Sequence, residues 1–445
     1  MIPVIKTWLL KPIDPIQVAL WRIVFGLVMV FECFGAVLIG RTKMVFIDPP
    51  SLTFNFIGLE WLQPLPGNGM YFYFIAMGCL AVFITIGWKY RYVMPLFAIG
   101  WAGLYLMHKT SYNNHHYLMF LLSGMFCFTP AHVQLSLDAR RKAKSTIPNL
   151  FRWQYLILFL IVYTYASVAK FYPDWISGRF TSLLVEGKET RPFIGWLYRA
   201  EYAPLILAWG GIFYDLLVIP ALLWKRTRNF ALVISIGFHL YNSITLEIGT
   251  FPYMMIGASV LFFPPELLRK RFKRHPNDSS LPALSFHHPQ LKLIALYLFI
   301  AIQVVLPLRH HIYPGTVFWT EEGHRLSWRM MLRYKSGRIH FTISDKNNKL
   351  IYHNPLDHIT KKQLNTMCSQ PDMIWQYAQF LKKIYGDDIR VYVKAYVSLN
   401  RRPMQLLIDP NVDLAHTKWH RFKHSNWILP FSWDDEEPNK TSNDR

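Results

Sequence analysis

Cysteine is scarce: the 445-residue chain has four, at 33, 79, 127 and 368. No spacing among them matches a zinc or redox motif, so neither a structural disulfide nor a metal centre is expected. Three lie in apolar stretches, where a thiol behaves as a small hydrophobe. Acidic residues are few as well, 27 against 48 Lys and Arg, a formal net charge of +21. Such a balance can mark nucleic-acid binding. Here, however, the basic runs at 89–91, 140–144, 225–228 and 269–274 stand at the ends of apolar segments. That placement suits membrane topology and anionic lipid heads, and nucleic acid is set aside as a partner. Also missing are an HExxH pair, a phosphate loop, a dinucleotide fingerprint and a Ser–His–Asp signature. A cleaved leader is not expected either. The first apolar run, 16–39, is too long for one and reads as a spanning helix.

What the chain has is hydrocarbon: 52% of its residues are hydrophobic. A spanning helix needs roughly 20 apolar residues. On that criterion the sequence predicts nine spans, at 16–38, 70–87, 93–108, 116–129, 152–170, 204–223, 229–246, 251–264 and 291–308. The fourth and eighth are short. The basic runs follow the second, fourth, sixth and eighth spans, so the positive-inside rule puts those loops and the N-terminus in the cytoplasm. After an odd number of spans, the C-terminal part lies on the opposite side.

The expected organisation is a transmembrane helical bundle over 1–312, a β-rich extracytoplasmic domain over 313–431 and a disordered tail over 432–445. In the second part, 338–344, 350–353, 390–399 and 404–409 have the β-branched and aromatic content of strands. The stretch 372–385 has helical spacing, with Asp372 as its cap and Gly386 as its stop.

Ionisable residues inside a membrane are costly and mark function by default. Arg22, near the cytoplasmic end of its span, is expected to snorkel. Glu32 and Asp215 suit pairing within the bundle as well as they suit a site, and Glu247 is a further candidate. Lys170 closes an apolar run at the outer face, and Asn113, Asn114, His115, His116, His239, His310 and His311 reach the same depth. One such histidine would be a structural residue. A lysine and several histidines from four distant segments suit proton abstraction from a lipophilic substrate, provided burial leaves the amine neutral.

Five stretches, DPIQVALWRIVFG (14–26), YNNHHYL (112–118), ASVAKFYPDW (166–175), FHLYNSITLEIGTFPYMMIGASVLFFP (238–264) and WTEEGHRLSWRMM (319–331), occur in one order along the chain. Together they resemble vitamin K-dependent gamma-glutamyl carboxylases and their bacterial-type, HTTM-domain homologues. The resemblance implies a lyase that couples oxygenation of reduced vitamin K to its epoxide with carboxylation of protein glutamate. O2 and CO2 would be co-substrates, without a metal. It implies Lys170 as the base for the hydroquinone, with His115, His239 and His310 as further catalytic residues (His311 competing with His310). Asn114, His115, Lys170 and His239 would bind the cofactor. The segment with His324, Arg325, Ser327, Trp328 and Arg329 would meet a glutamate-containing substrate. His324 stands where the family often has tyrosine, and the arginines suit a carboxylate in bidentate geometry. Without a cysteine pair, the two domains are expected to hold together by packing alone. The competing readings are an epoxidase without productive carboxylation and a non-catalytic membrane transport or binding protein. The glutamate protein, the native quinone and the oligomeric state are left open.

Overall fold

The structure is a computed structural model that describes residues 2–49, 51–141, 145–192, 194–271 and 289–433. Parts of two basic runs (142–144 and 272–274) and most of the expected disordered tail (434–445) lie outside the described residues.

Each of the nine apolar segments carries a helix: α1 Ile16–Leu38, α2 Gly69–Ile86, α3 Tyr90–Met107, α4 Asn114–Phe128, α5 Leu150–Val168, α6 Ala203–Leu223, α7 Arg228–Leu246, α8 Phe251–Ala258 and α9 Pro289–Val305. Six of the described helices are long and apolar enough to cross a bilayer. A seventh joins them if Phe251–Phe262 and Pro265–Arg271, bent by 113°, form one span. The physical reason for the shortfall from nine is length and polarity. The 15 residues of α4 rise only about 22 Å against a hydrocarbon core of roughly 30 Å. Helix α3 carries Arg91, several tyrosines and an internal Pro95.

The bundle core is aromatic. Trp21, Phe25, Phe97, Phe126 and Tyr155 are fully buried, and Phe25 meets Phe97 edge-on at 6.2 Å. Helices α1 and α2 pack closely at Gly26. A Cβ there would come within 2.9 Å of the Thr85 backbone, so only glycine admits this approach. Arg22 does not snorkel: it is wholly buried and donates to the carbonyl of Leu135 at 2.6 Å.

The C-terminal region holds an antiparallel sheet of β1 Lys335–Ser344, β2 Leu350–Ile351, β3 Arg390–Leu399 and β4 Gln405–Leu406, in the order β2-β1-β3-β4. Along β3 the alternate residues Val391, Val393, Ala395, Val397 and Leu399 are buried, the period-2 signature of a half-covered sheet. Helix α11 Pro371–Tyr385 packs on β3, after the short α10 Lys361–Met367. The N-cap of α11 is Gln370 rather than the expected Asp372. Asp372 is the second residue of the helix, and its carboxylate meets Lys109 and Arg325.

That contact is one of several across the junction, and it corrects the expectation that packing alone joins the two parts. Lys109 donates to Asp372 at 2.5 Å. Arg402 makes a two-pronged pair with Asp174 at 2.5 and 2.6 Å, and Asn400 adds a third bond at 2.6 Å. Burial by itself would raise the Asp372 carboxyl, but Arg325 and Lys109 outweigh it and hold it well below the ordinary carboxylate range. All four cysteines are free thiols.

Candidate functional site

Lys170 lies two residues beyond the end of α5, where the chain turns into the short helix Pro173–Ile176. Its Nζ donates to Asp215 of α6 at 2.5 Å and to the carbonyl of Ala166 at 3.0 Å. The ammonium also sits 5.3 Å from the Trp175 ring centroid. Both ends of the ion pair are buried. Asp215 therefore pairs within the bundle, and it does so with the one lysine singled out by sequence.

The neighbour of Asp215, Tyr214, reaches a second group. Tyr214 and Tyr163 place their hydroxyls 3.2 and 3.0 Å from Nε2 of buried His239. Nδ1 of His239 is buried without a partner. The His239 ring stands edge-on to Phe251 at 6.2 Å, and the other contact of Phe251 is His115, stacked at 3.9 Å and 15°. One aromatic ring at the start of α8 thus joins two histidines from α4 and α7.

His115 also lines a cavity of about 270 Å³ at the junction, together with Lys109, Asn114, His324, Arg325, Arg329 and Arg333. Lys170 and His239 do not line it; His239 is linked to it through Phe251 and His115. Asn114 spends one end of its amide on the 319–331 segment and the other on Tyr112. Its Nδ2 donates to the Arg329 carbonyl at 2.9 Å, and its Oδ1 accepts from Tyr112 at 3.0 Å. Arg329 reaches Nε2 of His310 at 2.7 Å. Arginine can only donate, so that nitrogen accepts, and the His310 proton sits on Nδ1, facing the Pro307 carbonyl at 2.8 Å. Of the two adjacent histidines, His310 is the one turned inward, while His311 is exposed.

The 319–331 segment divides. Arg329 and His324 face the cavity, whereas Arg325, also on its wall, is committed to Asp372 at 2.7 Å and Gln370 at 3.2 Å. Ser327 is buried and donates to the His324 carbonyl. Trp328 is 0% exposed and packs on Tyr117 inside the bundle core, at 4.8 Å, so it anchors the loop rather than meeting solvent. The backbone is strained here. Glu321, Leu326, Trp328 and Met331 all have positive φ, between 50° and 63°, a conformation such side chains adopt only when their surroundings force it. Burial, reinforced by Arg333, keeps His324 well below its usual range. Burial and Arg333 also pull Arg329 down to about 10, as expected for a cation without a facing anion.

The remaining intramembrane carboxylates are structural in their contacts. Glu32 accepts from Arg41, from Thr250 at 2.7 Å and lies 3.2 Å from His116. Glu247 is exposed at the end of α7 and pairs with Arg191. Sequence reasoning missed Tyr163, Tyr214 and Phe251. One signal was present: Tyr163 lies seven residues before Lys170, in the last turns of the helix that leads to it.

A family model described as the HTTM domain matches residues 10–267. A second, described as the vitamin K-dependent gamma-carboxylase, lumenal domain, matches residues 288–434. No solved structure matches the chain.

Proposed function

The chain belongs to the HTTM-domain, vitamin K-dependent gamma-carboxylase family, and from that premise we propose that it oxygenates reduced vitamin K to its epoxide and couples this to carboxylation of a protein glutamate. The observation that carries the reading is the junction cavity, where His115 and Asn114 of the bundle face Arg329 and His324 of the C-terminal region.

When bound, reduced vitamin K supplies with O2 the oxidising chemistry and the strong base that no side chain can provide. A glutamate γ-carbon is far too weak an acid for lysine. Lys170 instead takes the hydroxyl proton of the hydroquinone, and the Asp215 carboxylate at 2.5 Å receives the proton that the lysine must shed to act as base. His239, whose Nδ1 has no partner among the described residues, would offer that nitrogen to a polar group of the cofactor. His115 and Phe251 would hold its ring by stacking. Across the cavity, the Arg329 guanidinium holds the glutamate carboxylate as a charge-assisted pair, and His310 fixes the arginine. Burial of Lys170, Asp215 and His239 keeps the hydroquinone side of the site out of bulk water, which both a strong base and a carbanion require.

All nine apolar helices take part in the membrane region in this reading, the N-terminus is cytoplasmic and the C-terminal domain extracytoplasmic. The parity of the basic runs and the lumenal-domain match support it.

The test incubates purified protein in lipid nanodiscs with reduced vitamin K, labelled bicarbonate and a glutamate peptide. Both epoxide and incorporated label are expected. Lys170→Ala should lose about 10²–10⁴-fold of both. Full activity in that variant would overturn the mechanism, and epoxide without label would leave only the oxygenation half.

A further inference from the structure

A second concavity, of about 640 Å³, opens on the C-terminal region between α10 and the start of β1. It is lined by nine residues, among them Arg333, Lys335, Lys361 and Lys362, and no carboxylate is one of them. Glu321 lies beneath the floor. It accepts from Lys335 at 3.2 Å and from Arg333 at 2.6 Å and so balances one charge. Lys361 and Lys362 are exposed on the rim, and no ion pair involving either is present among the described residues. The groove therefore carries a net excess of cations facing outward.

Its second property is continuity. Arg333, Thr366 and Gln370 line both this groove and the junction cavity with His115 and Arg329, so the two spaces meet at a shared wall. A chain lying in the groove would reach the outer side of that wall.

We propose that the groove binds an extended acidic peptide, the glutamate-rich stretch flanking the residue to be modified, with its carboxylates on Lys361 and Lys362. The proposal rests on the carboxylase reading for the identity of the peptide. The groove's own recognition depends only on charge and reach. An isolated surface lysine contributes little to binding; two adjacent lysines without an ion-pair partner among the described residues, on the rim of a groove lined by no carboxylate, steer an anionic chain toward it. A membrane headgroup would also be attracted to exposed lysines, but it would not need a groove that shares a wall with the cavity.

The experiment measures fluorescence anisotropy of a labelled oligoglutamate peptide with the full chain in phosphatidylcholine nanodiscs. An oligoglutamine peptide of equal length is the control. Binding of the first and not the second is expected, weakening as salt rises. K361E/K362E should weaken it by about tenfold or more, and the milder K361Q/K362Q by less, with both variants eluting as folded protein. Lys170→Ala should bind the peptide as the unmodified protein does. Equal affinity for both peptides, or unchanged affinity in K361E/K362E, would overturn the groove. So would a loss confined to phosphatidylglycerol nanodiscs, which would assign the lysines to lipid. Charge-dependent binding without label incorporation would uphold the groove and sink the carboxylase reading, whereas incorporation with the groove variant binding normally would do the reverse.

Discussion

Lys170 and Asp215 form a buried pair in which each charge depends on the other. Removing one partner of such a pair leaves the other uncompensated, at a cost of roughly 3–5 kcal/mol. Asp215→Asn is therefore expected to lower both the melting temperature and the rate of epoxide formation, the latter by about tenfold or more. Asp215→Glu should recover part of the rate, and the pH–rate profile of the asparagine variant should shift, which a merely structural loss would not produce. Lys170 was legible as chemistry because it ends an apolar run; its partner was legible only as one of several acids, since 45 residues separate them. A second carboxylate makes a prediction about acid. Burial would raise Glu321, but Arg333 and Lys335 outweigh it and bring it down to about 2 from the ordinary 4.5. The folded form thus binds its proton less readily than the unfolded chain. Its stabilising contribution is complete above about pH 4.5 and is lost as pH falls toward 2. Melting of the unmodified protein followed from pH 5 to 2.5 should show a decline that Glu321→Gln flattens.

Elements were read more reliably than contacts. Strand β3 occupies the predicted span 390–399, and β1 begins three residues before the predicted 338, because alternation of apolar residues along a half-covered sheet is written locally. The loop 319–331 was visible only through its resemblance to a family, since positive φ at Leu326 and Trp328 leaves no compositional trace. Helix caps fell between: Pro371 marks the start of α11, but the pull of Lys109 on Asp372 comes from a distant segment. At this scale Gly26 carries the sharpest test. Any side chain at this point of α1 meets the Thr85 backbone of α2 at 2.9 Å. Gly26→Val is expected to destabilise the bundle by about 1–3 kcal/mol, read as a lower melting temperature in detergent, while Gly124→Ala, with open space at its Cβ, should be near neutral.

The whole molecule is a bundle and a sheet domain tied by buried charge. Arg402→Ala would strand Asp174 at 2% exposure and is expected to cost about 3–5 kcal/mol. Limited proteolysis should then cut between the two parts faster than in the unmodified protein, and glutamate carboxylation should fall more than epoxide formation, because the arginine that receives the glutamate belongs to the loosened side. None of these ties could be read from sequence, since each joins residues more than 200 positions apart. Trp328 adds a constraint of another kind. Its indole fills the interior of helices synthesised long before it, against Tyr117. The bundle therefore leaves the ribosome with one place in its packed core unfilled until the last third of the chain supplies the indole. Completion of the bundle interior waits on the C-terminal region.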